Sequence, residues 1–168
     1  EELTRAQELL TQATRHPEIL LQRLIHGDHA SVSLLVTDDG RSQPLSLNGQ
    51  RVVPGCPFIY RGGVVPLRHP LTVRAFEVAE AAIRQVPGLR GYVGVDLVLA
   101  DGEAWLIEIN PRLTTSYIGL RRVIACNLAQ AIWTACREGR WPEDLRVTGR
   151  AVFTKVRRGI RCRTLSSG

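Results

Sequence analysis

Apolar residues recur at helical spacing near the start of the chain, at Leu3, Ala6, Leu9, Leu10 and Ala13, and Pro17 follows them. That pattern predicts a first helix over Leu3–His16. EILLQRLI, from Glu18 to Ile25, reads as a strand, turned by Gly27 and Asp28. ASVSLLVT, from Ala30, alternates and reads as a second strand, closed by DDGR; SQPLSLNGQRVV reads as a third. Gly49 to Leu67 is rich in Gly and Pro and reads as a long loop, functional or mobile. Pro70 opens a helix to about Val86 with Val73, Phe76, Ala79, Ala82 and Ile83 inward. YVGVDLVLA and EAWLIEIN are strands on either side of Asp101-Gly102. A long helix is expected from near Leu120 to Cys136 or Glu138, carrying Cys126 and Cys136, and AVFTKV is expected as the last strand. The pattern predicts an α+β fold, a mostly antiparallel sheet flanked by helices.

Two acidic residues interrupt the apolar strands. Asp96 sits within YVGVDLVLA, and Glu108 within LIEIN, which reads as buried. An unpaired carboxylate in a buried strand costs several kcal/mol, so each needs a partner. The hairpin turn decides how the two stand. A two-residue Asp-Gly loop pairs residues whose numbers sum to 203, setting Asp96 opposite Ile107 and Glu108 on the other face. A three-residue loop over Asp101–Glu103 or Ala100–Gly102 sets Asp96 opposite or diagonal to Glu108, with Asn110 on the same face. Two carboxylates that close repel unless a cation separates them. Magnesium suits such a site, taking one or two carboxylates completed by phosphates and water. Asn110 adds a carbonyl oxygen, and Arg112 adds a planar donor fork for phosphate. A structural bridge between Glu108 and a nearby Arg is the alternative that these residues leave open.

Composition narrows the classes. The chain has 168 residues, enough for one domain with a core, and carries a net charge of +6. Its basic residues are Arg except for Lys155, and they are spread along the chain apart from KVRRGIRCR near the end. No aromatic residues interleave with that cluster, so a nucleic-acid role is not expected. No apolar run reaches membrane-spanning length and no signal peptide is visible, so a cytoplasmic protein without a membrane partner is expected. Cys56, Cys126, Cys136 and Cys162 form no C-x-x-C pair and read as reduced thiols. Met is absent even at position 1, so the chain reads as part of a longer polypeptide.

A strand bearing Asp, a turn, then IEINPR closely resembles the C-terminal core of the ATP-grasp ligase superfamily. LLQRLIHGDHASVSLLV resembles its hinge and following strand, and FIYRGGVVPL its mobile phosphate-covering loop. With GLRGYVGVDLVL and EINPRLTTSYIGL, the resemblance spans Glu18 to Ala135. NPRLTTSYIGL most resembles the branch that includes tyramine–glutamate ligases of methanofuran-type cofactor biosynthesis. The resemblance implies ATP and magnesium, with manganese as a substitute, and small-molecule carboxylate and amine substrates joined through an acyl phosphate. It implies Asp96, Glu108 and Asn110 as metal ligands and Arg112 as the catalytic group on the transferring phosphoryl. It puts adenine and ribose at Gln22, Arg23, Leu24, Ile25 and His29, and the acceptor at Thr114, Thr115 and Ser116. Arg51 and Arg61 are expected to close over the γ-phosphate and substrate. His29 stands where relatives often carry an acidic residue, and Gly94 where some carry Arg. No Gly-rich loop or Lys precedes the hinge segment. Residues 1–150 are therefore expected to be the ATP-grasp C-terminal region and 151–168 a last strand and basic tail, partnered by an N-terminal half of the same polypeptide. A non-catalytic nucleotide- or anion-binding module derived from this family is the alternative.

Overall fold

A computed structural model describes residues 2–13, 20–55 and 57–165. Four helices and seven strands follow in chain order: α1 (Glu2–Ala13), β1 (Asp28–Val36), β2 (Ser42–Val53), β3 (Ile59–Val65), α2 (Thr72–Arg84), β4 (Gly91–Ala100), β5 (Glu103–Asn110), α3 (Ser116–Leu120), α4 (Leu128–Glu138), β6 (Arg150–Val156) and β7 (Gly159–Leu165). The strands form one sheet in the order β5-β4-β1-β2-β3-β6-β7. Every neighbouring pair is antiparallel. This is the α+β architecture expected from the pattern.

Alternation along the strands sorts residues onto two faces. Ala30, Val32, Leu34, Val36, Leu47, Val93, Val95, Leu97 and Leu99 pack under α2 through Ala75, Ala79 and Ile83. On the other face Leu35, Val65, Tyr92, Ala151 and Phe153 pack with Leu120 of α3 and Leu128 and Ala131 of α4. The strand β1 is central and buried on both faces, so Ser31 and Ser33 are as inaccessible as the valines beside them.

Several elements differ from the pattern. The described part of EILLQRLI is not a strand: Leu20, Leu21 and Leu24 are 80%, 74% and 57% exposed. Apolar spacing signals that something buries these leucines, not what does, and nothing among the described residues covers them. The end of the first predicted helix, Pro17 and Cys56 lie outside the described residues. The Gly/Pro-rich stretch is mostly a hairpin of β2 and β3, with Gly49↔Val64 to Val53↔Ile59 paired. Its glycines serve close packing: a Cβ on Gly63 would overlap the Gly49 carbonyl oxygen. Val73 of α2 is 69% exposed, and Ala75 takes the inward position instead.

The long helix divides into α3 and α4. Asn127 starts the second by accepting hydrogen bonds from the Ala129 and Gln130 amides, a cap worth about 1 kcal/mol. Cys126 therefore precedes α4, and only Cys136 lies on it. AVFTKV is not the last strand: β7 pairs with it along Arg150↔Leu165 to Val156↔Gly159. The strand β5 lies at the sheet edge, so Trp105, Leu106, Ile107 and Glu108 are exposed rather than buried. Among the described residues, no helix is long and apolar enough to cross a membrane.

Candidate functional site

The β4–β5 hairpin turns through two residues, Asp101 and Gly102, both at positive φ (54° and 78°). This primed turn matches the twist of the strands it joins. From Ala100↔Glu103 to Leu97↔Leu106 the partners sum to 203, as a two-residue loop requires. Continued, that register would put Asp96 and Glu108 on opposite faces. A bulge intervenes between Asp96 and Leu97: Ile107 is the extra residue, and the ladder resumes with Asp96↔Glu108, Val95↔Ile109 and Gly94↔Asn110. Neither three-residue loop forms. The shared face of Asp96, Glu108 and Asn110 comes from the bulge instead.

Register across the sheet extends this row. Asp96 stands beside Ser31 of β1, and Ser31 beside Asn48 of β2. Gly94 pairs with Ser33, and Val98 with His29. The result is a polar strip on the face that α3 and α4 only partly cover. Asn48 donates from Nδ2 to the Ser31 carbonyl (3.0 Å) and to Ser33 Oγ (2.9 Å). The Ser33 hydroxyl meets Tyr92 OH at 2.6 Å, Tyr92 OH meets Thr114 Oγ1 at 3.2 Å, and Thr114 meets Ser116 Oγ at 3.0 Å. This chain of hydroxyls anchors the Thr114–Ser116 turn to the sheet. Gly94 lies beneath it, where a Cβ would overlap the Thr114 methyl.

The carboxylates share one amide. Asn110 Nδ2 donates to Glu108 Oε1 at 2.8 Å and approaches Asp96 Oδ2 at 3.4 Å. Its Oδ1 accepts from Arg112 Nη2 at 3.0 Å, which holds the guanidinium at the end of β5. Gln50 Nε2 donates to the other Asp96 oxygen, Oδ1, at 3.0 Å. Burial, followed by the nearby Glu108 charge, pushes the Asp96 carboxyl up to about 6; Gln50 and Arg112 oppose the rise. Burial pushes the Tyr60 phenol of β3 up to about 12 against the opposing pull of nearby Thr115, so it remains protonated at neutral pH.

This donor set fits a hard divalent cation. Two opposed carboxylates with an elevated carboxyl pKa lack positive charge between them, and an amide N–H stands in its place. Among the described residues no group of three or more His, Cys, Asp or Glu gathers, so the cation would complete its shell from phosphate and water. For Asn110 to ligate through oxygen its amide must turn over and release Arg112.

The structure brings some expected residues to this strip and leaves others away. Asp96, Glu108, Asn110, Arg112, Thr114, Thr115 and Ser116 converge. His29 lies on the same face, its ring 6.2 Å from the Phe58 ring at the β2–β3 tip. Gln22, Arg23, Leu24 and Ile25 form an irregular segment before β1, all but half-buried Ile25 exposed. Arg51 alternates with Gln50 and faces the other side, where its Nη2 donates to Thr154 Oγ1 at 3.0 Å. It does not join the carboxylates, because Gln50 takes the inward position on β2. Arg61 is the exposed extra residue of a bulge in β3. Sequence reasoning missed Ser31, Ser33, Asn48, Gln50, Tyr60 and Tyr92. The available signal was polar residues two apart within apolar strands: Ser31 and Ser33, then Ser46, Asn48 and Gln50.

A family profile described as "ATP-grasp domain" matches residues 2–116. The chain is 41% identical over 102 residues to the tyramine–L-glutamate ligase of Methanocaldococcus jannaschii, covering 61% of this chain and 32% of that protein. It thus spans about a third of that relative's length. Among solved structures, the L-amino acid ligase from Bacillus licheniformis superposes with a TM-score of 0.67 at 18% identity, covering 78% of this chain and 36% of that one. The N5-carboxyaminoimidazole synthetase from Staphylococcus aureus complexed with ADP gives the same TM-score at 18% identity, covering 80% and 35%. At such identities the structural likeness establishes the fold.

Proposed function

The chain belongs to the ATP-grasp family, and from that premise we propose that it forms part of an ATP- and magnesium-dependent carboxylate–amine ligase. The sequence relative supports glutamate as the acid and an amine such as tyramine as its partner. In this reading residues 1–150 are the ATP-grasp C-terminal region and 151–168 its last section and basic tail, of which the described residues to Leu165 continue the sheet as a hairpin. Because the chain spans about a third of its relative, the remaining wall of the nucleotide site comes from protein outside these residues.

The observation that carries the reading is Asp96 set opposite Glu108, with Asn110 and Arg112 adjoining. The reaction has two steps. A carboxylate oxygen of the acid attacks the γ-phosphorus of ATP and ADP leaves. The amine nitrogen then attacks the acyl carbon, phosphate leaves with the bond electrons, and the proton that the nitrogen loses passes to the departing phosphate or to solvent. Catalysis of this kind is mainly positioning and charge stabilisation. Asp96 and Glu108 hold magnesium, with Asn110 as a further oxygen ligand once its amide turns; when bound, the ion neutralises phosphate charge. Arg112, held by Asn110 in the free chain and released when that amide turns, directs its N–H groups at the transferring phosphoryl. The Thr114, Thr115 and Ser116 turn receives the acceptor, with the Thr114 and Ser116 hydroxyls oriented through Tyr92.

Glu108→Gln keeps size and hydrogen bonding but removes one ligand charge. In the polypeptide that completes the site, ADP formation should fall by a factor on the order of a hundred or more. Wild-type turnover in that variant would contradict the reading.

A further inference from the structure

We infer that Gln50 is a positioning residue for Asp96, a role that rests on the cation reading above. Gln50 belongs to β2, and β1 lies between β2 and the Asp96 strand. Its side chain crosses β1 and donates from Nε2 to Asp96 Oδ1 at 3.0 Å. The crossing is open because the β1 residue in the Asp96 row is Ser31, which is small and buried. Opposite Gln50 on β3 is Gly63, which offers no side chain to compete.

The contact divides the labour between the two Asp96 oxygens. Gln50 holds Oδ1, and Oδ2 stays turned toward Asn110 and Glu108. Like charges repel, so an untethered Asp96 would swing away from Glu108 and widen the gap that a small cation must bridge. Asn110 belongs to the same hairpin as both carboxylates. Gln50 is the donor to Asp96 that comes from outside that hairpin among the described residues. Its chemistry also suits the task. A Lys or Arg there would neutralise the pair and compete with the cation, and a Glu would add a third negative charge. An amide orients the carboxylate without changing the site's charge. Groups that orient metal ligands in this way change metal affinity about 10- to 100-fold when lost.

The test is Mn²⁺ binding to the 168-residue chain, read from the electron paramagnetic resonance signal of the free ion. Wild type, Gln50→Met and Glu108→Gln are compared, together with melting in chelator. Met keeps the length of Gln and removes the donor. The inference expects the Gln50→Met dissociation constant to rise about 10- to 100-fold, with melting in chelator unchanged and binding lost in Glu108→Gln. Wild-type Mn²⁺ affinity in Gln50→Met, with binding still lost in Glu108→Gln, overturns the role of Gln50 and leaves the cation reading standing. Absence of Mn²⁺ binding in wild type overturns both. Should Gln50→Met fail to fold, Gln50→Asn replaces it: its amide is too short to cross β1, and undiminished affinity there overturns the inference equally.

Discussion

The two faces of the central strands are built from alternate residues of the same segments, yet they follow opposite rules. On the α2 side, Ala30, Val32, Leu34, Val93, Val95 and Leu97 bury apolar surface against one another. On the other side, Ser31, Ser33, Asn48, Gln50 and Asp96 withdraw polar atoms from water; most find a partner, and Asn48 Oδ1 has none among the described residues. The apolar face gains stability roughly in proportion to the area it removes from water. The polar face gains little net stability from its hydrogen bonds and sets two carboxylates side by side. The α2 face thus holds these strands together along their length, and the other face joins a second apolar cluster under α3 and α4 to a polar strip arranged for a ligand at some expense to the free protein. The apolar clusters on both faces offset that expense.

Substitutions on each face should therefore differ in sign. The largest expected effect on stability is on the apolar side: Leu34 is fully buried, and Leu34→Ala should destabilise the chain by about 2–5 kcal/mol in denaturant melts. A loss well under 1 kcal/mol would mean that the α2 face is not the main source of cohesion.

A smaller effect of opposite sign is expected at Asp96. Its carboxyl titrates at about 6 in the folded chain, above the usual carboxylate range. Below the unfolded value of about 4, the group is protonated in both states and nothing is lost. As pH rises through about 6, the unfolded chain has already released its proton and the folded chain must ionise beside Glu108, so stability falls. In chelator, Asp96→Asn should remove that fall, leaving the variant at least as stable as wild type at pH 7. A variant less stable than wild type at pH 7 would show that the ionised pair supports the fold rather than straining it.

The apolar face was readable in the sequence because period-two spacing reports which residues share a side. The strands holding Ala30–Val36, Ser42–Val53, Gly91–Ala100 and Glu103–Asn110 were placed almost as they form. The polar face was readable only in part. Asp96 and Glu108 stood out as charges among apolar neighbours, but their pairing depended on Ile107, and a bulge has no reliable mark in a single sequence. The turn arithmetic correctly described the Asp101-Gly102 loop and would have separated the carboxylates had the ladder been regular. Gln50 escaped notice because its partner lies 46 residues away across an intervening strand. The strand β3 reads as part of a Gly/Pro-rich loop because Gly62 and Gly63, which there permit a bulge and close packing, look the same in sequence as glycines that break structure.

The central claim is that Asp96 and Glu108 act together on one cation. Calorimetry of the chain with Mg·ATP, alongside Glu108→Gln, tests it most directly. The account predicts a heat of binding in wild type that disappears in the variant, with both proteins equally folded. Binding of equal strength in the two would contradict it, because a nucleotide held without the Glu108 charge is not held through a cation shared by this pair.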